Sequence, residues 1–251
     1  MVLMNENYIL QYWQGIQSGE ITVSKRIKQI YQKTVDELNT PEPPFVFDIV
    51  KASRPIEFIE RFCKHSKSKW LGKPIKLELW QKAMIQVVYG FVHADTGLRR
   101  AREWLILVAR KNGKSTLSSG IGLYEMLNEN GSQVVCAATK REHAKIVFDE
   151  ALNMVRQSKD LSKHIKKRKT DLYYPSRLST FQPLCSQSNS LDGLNAQLGI
   201  IDECHAIKDR NLYDVVRQSQ SSREQPLMLT ISTSGFLRES LGVSTTLCKL
   251  V

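Results

Sequence analysis

Four short apolar runs, set among stretches with helical periodicity, constrain this chain more than any other feature. They are WLILVA at 104–109, QVVCAAT at 133–139, QLGIID at 197–202 and PLMLTIST at 226–233. Near-continuous apolar runs of this length suit strands buried on both faces. Helical patterns at 117–127 and 141–155 separate them, and two weaker β-like runs, DLYY and RLSTFQPL, fall before the third. Strands alternating with helices give a mostly parallel sheet covered on both sides, so the expected fold class is α/β.

The first hundred residues follow a different pattern. Ile9, Leu10, Trp13 and Ile16 mark one amphipathic helix; Ile27, Ile30, Tyr31 and Val35 mark a second, entered through Thr22 or Ser24. TPEPPF at 40–45 breaks the chain, and further helices are expected over 55–65 and 76–91. The chain therefore divides into a helical N-terminal extension at 1–70 and a nucleotide-binding domain at 71–251.

That second assignment comes from the turn after the first strand. Val108-Ala-Arg-Lys-Asn-Gly-Lys-Ser115 keeps the last three positions of G-x-x-x-x-G-K-[ST], with Val108 in place of the first glycine. Gly113 lets the backbone aim N–H groups at phosphates from a helix N-terminus. Lys114 suits the β- and γ-phosphates of ATP, Ser115 suits magnesium, and Arg110 adds a second cation to the loop. The nucleotide-binding set is Arg110, Lys111, Asn112, Gly113, Lys114, Ser115 and Thr116. A basic turn that merely contains G-K-S is the competing reading, and the strand-then-helix context weighs against it.

LGIIDECH closes the third apolar run with two carboxylates. Asp202 is placed to hold magnesium through water, and Glu203 to activate the attacking water. Together with Lys114 and Arg110, Glu203 makes up the catalytic set. An ordinary exposed acidic pair is the bland alternative, but G-K-S upstream ties both motifs to one site of a doubly wound sheet. Gln81 can grip adenine through its amide, and Ser232, Thr233 and Ser234 put hydroxyls at a strand end where a γ-phosphate is sensed.

The charge points to a polyanionic partner. A formal net charge of +11 on 251 residues favours nucleic acid through counterion release. KHIKKRK gives candidate backbone contacts at Lys163, Lys166, Lys167, Arg168 and Lys169, although such runs are commonly solvated surface. The five cysteines are scattered without a CxxC, which argues against a disulfide frame or zinc site. No signal peptide or membrane-spanning run is expected.

The order WQ, VARKNGKST, CAATKREHAKIVFDEA, SLDGLN, LGIIDECH, ISTSG resembles the large subunit of tailed-bacteriophage terminases, in the branch with HK97-like capsids. RFCKHSKSKWLGKPIKLELWQ is similar to the segment leading into the ATPase core there. The resemblance implies a P-loop NTPase of the additional-strand, catalytic-glutamate type. It also implies an ATPase that translocates double-stranded DNA into a procapsid, as a homo-oligomeric ring working with the portal protein and a small terminase subunit. The host bacterium's cytoplasm is the implied location. By position it assigns Gln81 to adenine, residues 110–116 to the Walker A loop, Asp202 and Glu203 to Walker B and the catalytic glutamate, and residues 232–234 to coupling. Such proteins normally carry a C-terminal nuclease domain. The chain stops soon after Gly235, so the ATPase portion alone, without nuclease activity, is expected. Asp192 stands where some relatives place a trans-acting arginine, leaving Arg141, Arg156 and Arg217 as unranked candidates. Two rivals stay open: a superfamily-2-like helicase or translocase, suggested by D-E-C-H, and a non-catalytic nucleic-acid-binding scaffold with a vestigial nucleotide site.

Overall fold

Asn7 and Ser24 start the first two helices of the computed structural model. Each side chain accepts a backbone N–H three residues on, from Leu10 at 3.1 Å and Ile27 at 3.3 Å, which satisfies a donor that the helix itself leaves unpaired. The structure describes residues 6–138, 141–185, 193–202 and 211–233. Two compact units emerge, one of Met1–Glu60 with Lys76–Ala101 and one of Arg61–Ile75 with Arg102–Val251.

The first unit contains α1 (Tyr8–Ser18), α2 (Lys25–Asn39), β1 (Phe45–Phe47), α3 (Ile49–Phe62) up to Glu60, α4 (Leu79–Gly90) and β2 (Phe91–His93). The stripes expected from periodicity meet in one cluster, with Ile9, Trp13 and Ile16 of α1 against Tyr31 and Val35 of α2 and Ala83 of α4. Gln86, fully buried, serves the start of α1: its Oε1 accepts the Tyr8 N–H at 2.7 Å and the Ile9 N–H at 3.3 Å. Helix α3 begins at Ile49, six residues before the start expected at 55. The Asp48 carboxylate accepts the Lys51 N–H at 3.0 Å and caps this earlier start, and Pro55 lies inside the helix without a backbone N–H to give it. Strands β1 and β2 pair antiparallel, Phe45 opposite His93. At three residues each they are too short to show an alternation in sequence.

The second unit contains β3 (Glu103–Leu107), α5 (Lys114–Asn128), β4 (Gln133–Ala138), α6 (Arg141–Gln157), α7 (Lys159–His164), β5 (Lys166–Lys167), β6 (Leu172–Tyr174), β7 (Ser179–Cys185), β8 (Leu198–Asp202), α8 (Asn211–Gln218) and β9 (Leu227–Ser232). Its sheet has seven strands in the order β3-β9-β8-β4-β7-β6-β5. The five from β3 to β7 run parallel, and β6 and β5 complete the edge antiparallel. Every residue of β8 and β9 is buried, which is why their sequences are mostly apolar, with Thr230, Ser232 and Asp202 as buried polar exceptions.

Neighbouring residues of β8 show that helices cover both faces. A Cβ at Gly122 of α5 would lie 2.7 Å from Phe181 and 3.4 Å from Ile200. A Cβ at Gly199 would lie 2.5 Å from Val216 of α8. Successive strand residues point to opposite faces, so α5 covers the Ile200 side and α8 the Gly199 side. The α/β expectation holds, with a mostly parallel sheet flanked by helices.

Candidate nucleotide site

The phosphate loop is built by two residues with positive φ. Lys111 (φ 68°) and Gly113 (φ 73°) turn the chain between β3 and α5, and Gly113 is the N-cap of the helix. Leu117 N–H to Gly113 C=O, at 2.9 Å, is the bond that opens the helical ladder from the cap. The N–H groups of Lys114, Ser115 and Thr116 therefore have no intrahelical acceptor, and they add their partial positive charge to the helix dipole. Asn112 pins the turn, its amide donating to the carbonyls of Ala109 at 3.2 Å and Arg110 at 3.3 Å. Lys114 arches over the loop, its ammonium donating to Val108 C=O at 2.8 Å and Ala109 C=O at 3.4 Å. Arg110 and Lys111 are exposed.

Strand register sets what faces this loop. Ile231 of β9 pairs with Ile106 of β3 on one side and with Asp202 of β8 on the other. Adjacent strands lie about 4.8 Å apart, so Asp202 is level with Ile106 and roughly 10 Å across the sheet. Asp202 has the same parity as Ile200 and hence projects on the face that α5 covers. It is 7% exposed. Cys136 of β4 feels it: burial first, and the Asp202 charge second, push that thiol well above its ordinary range. A carboxylate and the Ser115 hydroxyl are hard oxygen donors suited to magnesium. Among the described residues no cluster of three or more His, Cys, Asp or Glu could hold a metal. A magnesium site does not need one, because it draws on few protein ligands together with phosphates and water.

The other predicted residues fall as follows. Ser232 ends β9 buried, its hydroxyl donating to Thr233 C=O at 3.0 Å. Thr233 follows at 9% exposure. Gln81 lies in the first unit, in the first turn of α4, where its Oε1 accepts the Glu78 N–H at 3.0 Å. Glu203, Ser234 and Asp192 lie outside the described residues. The basic run divides by role. Lys163 lies in the last turn of α7, and Lys166 and Lys167 form the exposed edge strand, where lysines also deter edge-to-edge pairing. Arg168 makes a bidentate pair with Asp171 at 2.7 and 2.5 Å. Arg217 pairs with Glu103 at 2.9 Å.

One group beside the loop was not anticipated. Glu150 of α6 accepts the Thr116 hydroxyl at a long 3.5 Å, and its other oxygen lies 3.2 Å from the Lys67 ammonium. Its signal is legible in hindsight, as a lone acid on the stripe of Val147, Ala151 and Met154 that α6 buries.

A parallel sheet in which β9 separates the strand feeding the glycine–lysine loop from the strand ending in aspartate defines a P-loop NTPase of the additional-strand type. Comparison with known proteins agrees. The family model for the terminase large subunit, ATPase domain, matches residues 79–245. The terminase large subunit of Enterobacteria phage HK97 is 31% identical over 192 residues, covering 74% of this chain and 37% of the relative. The crystal structure of the HK97 bacteriophage large terminase aligns with a TM-score of 0.63 at 28% identity, covering 72% of this chain and 37% of that one. The chain belongs to the terminase large subunit ATPase domain family. It spans 37% of the length of both relatives. Among the described residues no helix is long and apolar enough to cross a membrane.

Proposed function

We propose that this chain is the ATP-hydrolysing motor portion of a DNA-packaging terminase, driving double-stranded DNA into a procapsid. The register Ile106–Ile231–Asp202 carries the reading, because it sets a buried carboxylate level with the strand that feeds the phosphate loop. Lys114, Arg110 and the N–H groups of the first turn of α5 hold the phosphates and offset charge developing on them. Ser115 and Asp202 would hold magnesium, which would supply positive charge against the nucleotide's phosphates. Glu203, next in the chain after Asp202, orients the attacking water and accepts its proton.

Coupling runs through the end of β9. Val108 N–H donates to Ser232 C=O at 3.2 Å, so Ser232 is joined directly to the residue that opens the phosphate loop. The surplus of positive charge suits a DNA partner, with Lys163, Lys166, Lys167, Arg168 and Lys169 as candidate contacts. The portal protein, a small terminase subunit and further copies of the chain in a ring are the partners of this reading, in the cytoplasm of a bacterial host.

Glu203→Gln tests it: ATP binding is expected to persist while hydrolysis is lost. Unchanged turnover in that variant removes the catalytic assignment.

A further inference from the structure

Residues 61–75 make an excursion of unusual composition. They hold five lysines and arginines and no carboxylate. The stretch belongs to the second unit, although the residues on both sides of it belong to the first. Its base is apolar and fixed, with Cys63 at 0% and Ile75 at 2% exposure and Ile75 N–H donating to Cys63 C=O at 3.1 Å. Above that, His65 N–H donates to Lys73 C=O and Gly72 N–H to His65 C=O, both at 2.9 Å. The tip is a tight turn that presents Trp70 and Leu71, at 49% and 55% exposure.

Trp70 holds two ammonium groups. Lys69 Nζ lies 5.3 Å and Lys73 Nζ 4.9 Å from its ring centroid. Among the described residues no carboxylate pairs with either lysine. The indole therefore gathers two like charges at an exposed tip, where cation–π attraction works against their mutual repulsion. A polyanion relieves that repulsion, and it meets lysines whose side-chain entropy is already partly spent. The ammoniums lie over the indole, so the tip offers charge to phosphates more readily than a bare ring to bases. That favours a duplex backbone, contacted without regard to sequence.

We propose that the 61–75 excursion is a phosphate-backbone contact for double-stranded DNA, with Trp70 ordering Lys69 and Lys73. The inference rests on the motor reading above for the polymer, and it adds a surface that reading does not use. It also gives DNA a route to the nucleotide. Lys67, on the same excursion, reaches Glu150 at 3.2 Å, and Glu150 accepts the Thr116 hydroxyl beside Ser115.

The test is fluorescence anisotropy of a labelled duplex with the whole chain, titrated over a range of salt. Lys69→Ala/Lys73→Ala is expected to bind more weakly and to flatten the log K against log salt slope by about 2, roughly 0.9 for each phosphate no longer neutralised. Trp70→Ala is expected to weaken binding as well, and Trp70→Phe to restore it in part. ATP affinity and DNA-free turnover should match the parent chain in all three. A double variant with the parent's affinity and slope overturns the inference. So does a loss confined to ATP affinity, which would make the tip a nucleotide contact, or a loss confined to single strands, which would make it a stacking platform. Absence of ATP binding in the parent chain would strike the proposed function instead.

Discussion

Val108 donates its backbone N–H to the Ser232 carbonyl at 3.2 Å, tying the residue that leaves β3 to the residue that ends β9. The start of the phosphate loop and the end of β9 cannot shift independently without breaking this bond. Ser232 directly follows Ile231, the residue paired with Asp202, so the bond lies one row beyond that carboxylate.

Gly113 is the residue the loop can least replace. At φ 73° an L side chain costs about 1–2 kcal/mol, and relief by rotation would redirect the N–H groups of the first helical turn. Gly113→Ala is expected to lower the melting temperature and to weaken nucleotide binding together. Thermal denaturation with and without ATP checks this, and full nucleotide affinity in the variant would speak against the cradle.

Gly199 answers to packing rather than to backbone conformation. A methyl there would stand 2.5 Å from Val216 Cγ1 and 2.9 Å from Met228 Sδ, so α8 would have to move off β8. Gly199→Ala is expected to destabilise by about 1–3 kcal/mol, as overpacked cores do. Denaturant unfolding measures it. A neutral result would mean that α8 sits looser on the sheet than the structure places it.

Cys63 predicts a pH dependence. Burial pushes its thiol up to about 12, from an ordinary value of 9.0. Between those values the unfolded chain has lost the proton and the folded chain keeps it, so stability is intact below about pH 9 and falls as pH rises towards 12. The loss from this group is about 1.4 kcal/mol per pH unit within that window. Cys63→Ala should therefore show a shallower fall in urea-unfolding stability across the lower part of that window, about pH 9 to 11, than the parent chain. Parallel curves would assign the alkaline loss to other groups.

The nucleotide-binding half was legible in sequence because its signals are local. Strands β4, β8 and β9 are buried on both faces and so are written as apolar runs, whereas β3, at the sheet edge, buries only Trp104 and Ile106 and leaves Leu107 exposed. The turn at Gly113 needs a residue type that can be read directly. What escaped depended on partners distant in the chain. Glu150 gains its meaning from Thr116 and Lys67, 34 and 83 positions away. The start of α3 lies at Ile49, capped by Asp48, whereas in sequence Pro55 reads as the first helical residue. Helix α8 covers only eight residues and left no periodic run long enough to notice. The lysines at 166 and 167 read as a charged run, and the structure makes them an edge strand whose partner is Leu172 and Tyr173.

Magnesium-dependent ATP binding by Asp202→Ala, followed by titration calorimetry, addresses the site most directly. Binding of ATP without magnesium should survive, since Lys114 and the loop N–H groups are untouched, while the gain in affinity on adding magnesium should shrink sharply. If the variant keeps the parent chain's full response to magnesium, Asp202 and the Gly113 turn do not serve the same nucleotide.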